Sequence, residues 1–592
     1  MRANPFRLSL LAVLVAGFAA GCGTDDTQSP DDEGLALGTE DPELGKALFD
    51  PAAEADAKED NLRGALGLAE SADRSSTAVW EVTNAWEDTA TAAAKKAGVA
   101  WEADSGLDWN AKYALWVDSM PKVDSQSYFK TYEMRTPYGK TLPAPAVECA
   151  ETMIFLRATF ASWYHLPFFL EATDGRGNRL YLGHFGFRTA NGKYANSPDF
   201  KTNYKDFSNL ADRWEAEGWP TDSRLRGRKL GGSQDDFQPA LFEGARAGAY
   251  FDELFLNKRV GYFMIFALSY FGSMNLADPK NTFNLKPEAI RAGDGLIERW
   301  QRRGIGHTLV VKHVEKQSED AFQVELVSGS MPRRQGKWES ASASKGSFTN
   351  EYTGSLGTNW DGEIYAKLGG GLKRWRSAKL VNGRWTNVVV AADQGSFIDA
   401  GDAQLIGERV ETFDRILREV PPEEKREVLR MKIADARLHL ERYPASCSAR
   451  ENREKAFSEL YDLESEHFGR THKDVDLDNR TLADFVFAEL VYVKSKTCCW
   501  NSTTSAMYEI AMLKAAKDIE DHSANECREP TVFMNTANGY DAFRTFAEEL
   551  GRGDEWVEWS EDELCTQRDV RDDTQAEHEG TPWCEIGHAL SL

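Results

Sequence analysis

The chain has 592 residues and a formal net charge of −25, an excess of carboxylates that argues against nucleic acid or an anionic membrane surface as a partner. With 41% apolar and 11% aromatic residues it can fill sizeable cores, which excludes a disordered or fibrous chain. The length allows two to four domains at ~150 residues each.

Residues 1–22 read as a processing segment. Arg2 and Arg7 flank the start of an apolar run, 8–20, that is too short to cross a bilayer as a helix. The run ends Ala19, Ala20, Gly21, Cys22. This resembles the lipobox of bacterial lipoproteins, although Ala19 stands where that pattern usually has Leu. The resemblance implies export, lipid attachment at Cys22 and a place at the cell envelope (outer membrane, periplasm or cell surface). Contact with the membrane would then be through the lipid alone, because the later apolar run 260–271 is too short to span. Residues 23–45 are acidic and rich in Gly, Pro, Ser and Thr, the composition of a flexible linker.

Residues 46–138 read as a helical, alanine-rich segment with scattered Trp80, Trp86, Trp101, Trp109 and Trp116, expected to pack against the next domain. Residues 139–400 read as an α+β domain. Pro143 and Pro145 stop any element before Cys149, and 150–164 then has a helical pattern. Cys149, Met153, Leu156 and Phe160 share one face of it. Two apolar runs about a Gly- and Asn-rich turn predict a hairpin over 166–188. A helix is expected near 242–257 and a buried segment at 260–271. A strand is expected after Gly293 and Asp294, another from His307, and a third over 322–327.

A thiol in the first turn of a helix lies beside unpaired N–H groups and the positive end of the dipole, which favour thiolate. Such a nucleophile needs a base within hydrogen-bond reach. His165 ends the cysteine's own helix, four turns away, and cannot reach the thiol. His313 sits in a strand interior, where a structural or solvent-facing role is expected. His307 opens a strand just after Gly304 and Gly306, with Asp294 thirteen residues upstream.

A helix-borne cysteine, then Gly-Asp opening a strand, then Gly-His opening the next, resembles the NlpC-type and CHAP-type papain-like cysteine peptidases. The resemblance covers 149–164 and roughly 290–330. It implies a papain-like fold, Cys149 as nucleophile, His307 as base, and Asp294 as a shaper of the strand entry with no part in the chemistry. It also implies amide bonds as substrate, in peptides or peptidoglycan-type stems. Glu148, Ala150 and Glu151 depart from the residues that usually flank the family's cysteine, and the interval from Cys149 to Gly293 is far longer. CHAP-type enzymes place a glutamate on the strand after the histidine, which implies Glu325 as third member. Pairing Glu315 with Phe322 would set His307 opposite Ser330 and turn Glu325 away, and a one-residue slip reverses that. Ser328 and Ser330 therefore stay open beside Glu325.

Two competing readings remain. Cys149, His184 and Asp199 resemble the Cys–His–Asp order of transglutaminase-like acyl transferases or peptidases, although His184 lies in the middle of an apolar strand. The other reading is a catalytically inactive papain-like lipoprotein that binds an envelope partner.

Residues 401–592 read as a mainly helical domain, with helices at 403–419, 421–443, 450–467, 481–495, 503–520 and 540–551. Of the 8 cysteines, Cys447, Cys498, Cys499, Cys527, Cys565 and Cys584 fall here. In an exported protein this set implies up to three disulfides. No Cys-x-x-Cys spacing points to zinc, and no metal or cofactor is expected. Cys22 and these six leave Cys149 over, an unpaired thiol that is a liability in an oxidising compartment unless used or buried. The combined expectation is an envelope-anchored, cysteine-dependent amide hydrolase.

Overall fold

The computed structural model describes residues 67–487 apart from 174–178, 190–191, 195–196, 232–235, 303–305, 319–320, 360 and 443–446, together with 490–492, 504–523, 537–556 and 570–572. Cys22, the linker 23–45, Cys498, Cys499, Cys527, Cys565 and Cys584 lie outside the described residues, as does the side chain of Cys447. Among the described residues no helix is long and apolar enough to cross a membrane.

The fold is α+β. Its largest sheet has seven strands: β1 (Thr282–Leu285), β2 (Gly295–Glu298), β3 (His307–Ser318), β4 (Ala321–Ser328), β5 (Lys337–Glu339), β6 (Gly371–Trp375) and β7 (Phe397–Ile398). They lie in the order β5-β4-β3-β2-β6-β1-β7, with antiparallel neighbours throughout. Period-two alternation gives the sheet two buried faces. Ile297, Val310 and Val327 face helix α1 (Cys149–Trp163). Leu296, Leu309, Val311 and Leu326 face the other way, onto α2 (Ala341–Phe348) and α3 (Ala403–Ile416) through Phe348, Phe413 and Ile416. Helix α3 was expected to open a separate C-terminal body; it instead closes the second face of this sheet. The predicted hairpin is present, with Phe169–Thr173 paired to Arg179–Gly183.

Helix α1 begins where the short strand Ala146–Val147 ends. Glu148 is extended, with φ −73 and ψ 171, and Glu151 accepts the Glu148 N–H at 2.7 Å. That is the capping arrangement expected when a glutamate stands three residues into a helix. No Gly or Pro interrupts the following turns. All residues of α1 except Trp163 are buried, so the helix has no solvent face, unlike the one-sided helix its spacing predicts. A helix buried all round belongs in a core, and this one lies between two layers. Gly295 on β2 allows one layer in: a Cβ there would lie 2.4 Å from the Met153 sulfur.

The other layer comes from the segment before Cys149. Trp86, Trp101, Trp109, Tyr113 and Trp116 surround Phe160 with ring centroids 5.4–6.3 Å away. The segment was expected to be helical, yet between residues 67 and 138 its α-helices are only Ala92–Lys95 and Trp109–Ser119. Strands Lys122–Asp124 and Lys130–Arg135 follow. Tertiary ties explain the difference. Trp80 donates its indole N–H to Leu166 O at 2.9 Å and Trp86 donates to Pro167 O at 2.7 Å. These hold the chain extended where alanine content favoured a helix, a weak local preference overridden by packing.

Beyond α3 the chain is helical at Pro422–Arg442, Cys447–Phe468, His472–Asn479 and Leu482–Phe487, with a small core at Phe457 and Leu460. Residues Leu490–Tyr492, expected within a helix, pair as a strand with Val570–Asp572.

Phe160 joins the layers around α1, so Phe160→Ala should cost about 3–5 kcal/mol of unfolding free energy. Urea unfolding followed by circular dichroism measures it. A loss below ~1 kcal/mol would show that the tryptophan layer is not part of this core.

Candidate functional site at the start of helix α1

Cys149 is the first residue of α1 and is 7% exposed. It is in no disulfide among the described residues. Its sulfur lies 3.9 Å from the carbonyl oxygen of Gly306, the residue before His307 on β3. Helix start and strand start therefore meet across 157 residues of sequence. Ser273 accepts the Gly306 N–H at 2.8 Å and fixes this strand start from below.

The chain entering the helix is clamped as well. Ala146 and Val147 pair with Gln335 and Arg334. Gln238 spans the Ala146 backbone, accepting its N–H and donating to its carbonyl, each at 2.7 Å. Gly329 lies so close that a Cβ would sit 2.1 Å from Val147 O. Ser330 N donates to Val147 O at 3.3 Å. Arg333 then reaches into the helix start, with its Nη2 2.7 Å from Glu151 Oε1 and 3.1 Å from Glu148 Oε1.

His307 is half-buried and stands directly opposite Glu298 on β2. Directly opposed residues carry their side chains on one face, about 4.5–5.5 Å apart at Cβ. Glu298 was not singled out by the sequence. Alternation groups His307 with Leu309 and Val311, on the face away from Val310 and α1. Being the first residue of the strand, its imidazole has to turn round the strand's end to face the thiol.

Glu325 is not beside His307. It pairs with His313, six residues further along β3, or ~20 Å at the usual strand rise. His307 opens β3 whereas Glu325 lies in the middle of β4, so the expected and the observed register both keep them apart. The hairpin end pairs Lys316 with Phe322 and Glu315 with Gln323, one step from the expected register. A shift between Val311 and His313 then takes up the extra residue, Lys312, so that Val311 faces Leu326. Glu325 instead accepts from Trp338 Nε1 at 2.7 Å and pairs with Lys122 at 3.3 Å. Ser330 does not lie across from His307 either, because β4 ends at Ser328 and the chain leaves towards Val147.

The remaining candidates are structural. His184 is fully buried beyond the far end of α1; its Nδ1 lies 3.0 Å from Phe168 O and its Nε2 3.1 Å from Asp73. Asp199 is half-buried and pairs with Lys193 at 3.0 Å and Ser76 at 2.9 Å. The Cys149–His184–Asp199 set is therefore not assembled. His165 faces Glu81 O at 3.0 Å, and His313 pairs with Asp118 at 2.7 Å. Asp294 is buried and held by Arg374 at 2.7 and 2.8 Å. It accepts the Arg291 N–H at 2.9 Å, which shapes the turn into β2. Among the described residues no group of three or more His, Cys, Asp or Glu could hold a metal.

No family model matches the chain, and comparisons with curated proteins and with solved structures return no match.

Lys312, the bulge residue, is buried; its Nζ donates to Asp118 O at 2.9 Å and lies 4.3 Å from the Trp338 ring centre. Burial pushes its pKa down from 10.5 to about 8, against the pull of Asp118 and Glu325. Between those values the folded chain binds fewer protons than the unfolded one, so this group makes stability rise with pH. Lys312→Met should therefore show its largest gain over wild type near pH 7, with the gap narrowing up to pH 10.5. Parallel stability curves in urea would refute this. In the same series, Glu325→Gln should leave the alkylation rate of Cys149 within about twofold of wild type.

Proposed function

We propose that the protein is a cysteine-dependent amide hydrolase, with Cys149 as nucleophile and His307 as base. The observation that carries this reading is the docking of the Cys149 thiol, at the N-terminal turn of a buried helix, against the Gly306–His307 strand start. The order of parts supports it: β2, β3 and β4 are consecutive antiparallel neighbours, with the cysteine helix packed on one face. A papain-like arrangement is the fold proposed for this part of the chain.

The chemistry follows from that pairing. His307 takes the thiol proton, and the thiolate attacks an amide carbonyl carbon. The C–N bond breaks, the amine leaves with the proton returned by the imidazolium, and an acyl-thioester remains on Cys149. Water then adds to the thioester, releasing the carboxylic acid and restoring the thiol. The backbone N–H of Cys149 is the proposed donor to the oxyanion. Peptide or peptidoglycan-type amides are the proposed substrates. Cys22 is the proposed lipid attachment site, placing the enzyme at the bacterial envelope. The cysteine-rich C-terminal region is proposed to carry disulfides.

A second reading, an inactive papain-like scaffold that binds an envelope partner, draws on two observations. The thiol is only 7% exposed, and strand alternation turns His307 from α1.

Iodoacetamide labelling of the folded protein across pH, with peptide mapping, separates the two. The hydrolase reading expects Cys149 to label with an apparent pKa well below the free-thiol ~8.5. His307→Ala should lower turnover of a peptidoglycan-peptide amide by about 10²–10⁴-fold, and Cys149→Ser should lower it at least as far. His184→Ala should lower stability without changing the labelling pKa. A Cys149 that labels only on unfolding would sink the hydrolase and leave the scaffold.

A further inference from the structure

Two carboxylates stand at the very turn where a thiolate has to form. Glu148 precedes Cys149, and Glu151 folds back to accept the Glu148 N–H. Both occupy the positive end of the helix, whose partial charge is roughly +0.5. Left alone, they would reverse the field that a helix N-terminus offers a thiolate, since like charge nearby disfavours the ionised form. Among the described residues Arg333 answers both. The Arg333 side chain is 3% exposed, and its Nε and Nη2 reach Glu151 at 3.1 and 2.7 Å. Its Nη2 is also 3.1 Å from Glu148 and donates to Gly231 O at 3.3 Å.

Among the described residues, further charged groups lie on the strand side. His307 and Glu298 stand opposite one another. Arg299 lies beside Gly306, and its Nη2 donates to Arg302 O at 2.9 Å. The helix Ser273–Ala277, which supports Gly306, carries no charged residue. In the loop before Ala247–Leu254, Asp236 and Arg246 satisfy each other at 2.5 Å. Arg333 is thus the cation held against both glutamates of the cap.

We propose that Arg333 is a positioning residue for the Cys149 reaction: it cancels the charge of the glutamates capping α1 and thereby lets the thiolate form at neutral pH. This rests on the hydrolase reading above. It reconciles the presence of two acids at the nucleophile's turn with a need for easy ionisation. It also gives a reason for the close passage of the chain at Gly329, which brings Arg333 over the helix start.

The test is the pH profile of Cys149 alkylation in the full chain. Arg333→Met should raise the apparent thiol pKa by about one unit or more and slow alkylation at pH 7 roughly tenfold. Arg333→Lys should restore most of the rate. Glu148→Gln removes one acid and keeps the Arg333–Glu151 pair. It should move the pKa the opposite way, speeding alkylation at pH 6 about threefold. A residue with only a structural role would not shift the pKa in opposite directions. Should Arg333→Met fail to fold, Glu148→Gln decides alone. A low wild-type pKa that neither variant moves overturns the role of Arg333 and leaves the hydrolase standing. A wild-type thiol that titrates near ~8.5 overturns both.

Discussion

Helix α1 is enclosed by sheet on one side and by a tryptophan-rich layer on the other, and the rest of the molecule is arranged to meet that demand. Its side chains can be buried all round only if two elements distant in sequence come to it. The sheet does so through Gly295, where the missing Cβ makes room for Met153. The N-terminal segment does so through aromatic rings gathered on Phe160. Arg157 shows how strictly the space is closed. It is buried in α1 over the Trp86 ring at 3.4 Å, and burial brings its pKa down to about 9. Its Nη2 donates to Asn110 at 2.8 Å, so a neutral amide stands in for the carboxylate that a buried cation usually finds.

Enclosure has a consequence for chemistry. A helix with no solvent face presents only its ends, and the end that carries Cys149 abuts the start of β3. Charge there is not diluted by water, so each ionisable side chain acts strongly on its neighbours. The Glu148–Arg333–Glu151 group and the Asp294–Arg374–Asp393 group both obey the rule that buried charges come paired. The first borders the thiol. The second sits at the turn into β2 and holds the strand that faces His307.

The bulge at Lys312 divides β3 into two functional halves. On the hairpin side it directs Lys312, His313 and Glu325 toward Asp118, Lys122 and Trp338, a polar seam that joins the N-terminal strands to the sheet. On the other side the strand runs back to Gly306 with the alternation of a two-sided core. One extra residue thus separates a structural cluster from the candidate active site.

Much of this could be read along the chain. The Cys149 helix, the strands opened by Asp294 and His307, the hairpin over 166–188 and most C-terminal helices are local patterns of period, turn and cap, which neighbouring residues dictate. The unusual count that leaves Cys149 unassigned is legible in the same way. What the tertiary structure alone decided are relations between distant segments. Glu298 and not Glu325 faces His307, because β2 pairs with the start of β3 while Glu325 pairs six residues further along it. Arg333 sits on Glu148 and Glu151 because Gly329 lets one backbone cross another. Between residues 67 and 138 the alanine-rich segment is largely unhelical because Trp80 and Trp86 find carbonyls more than 80 residues away. Local propensity amounts to tenths of a kcal/mol per residue, whereas burying an indole and pairing its N–H amounts to several, so burial prevails over propensity.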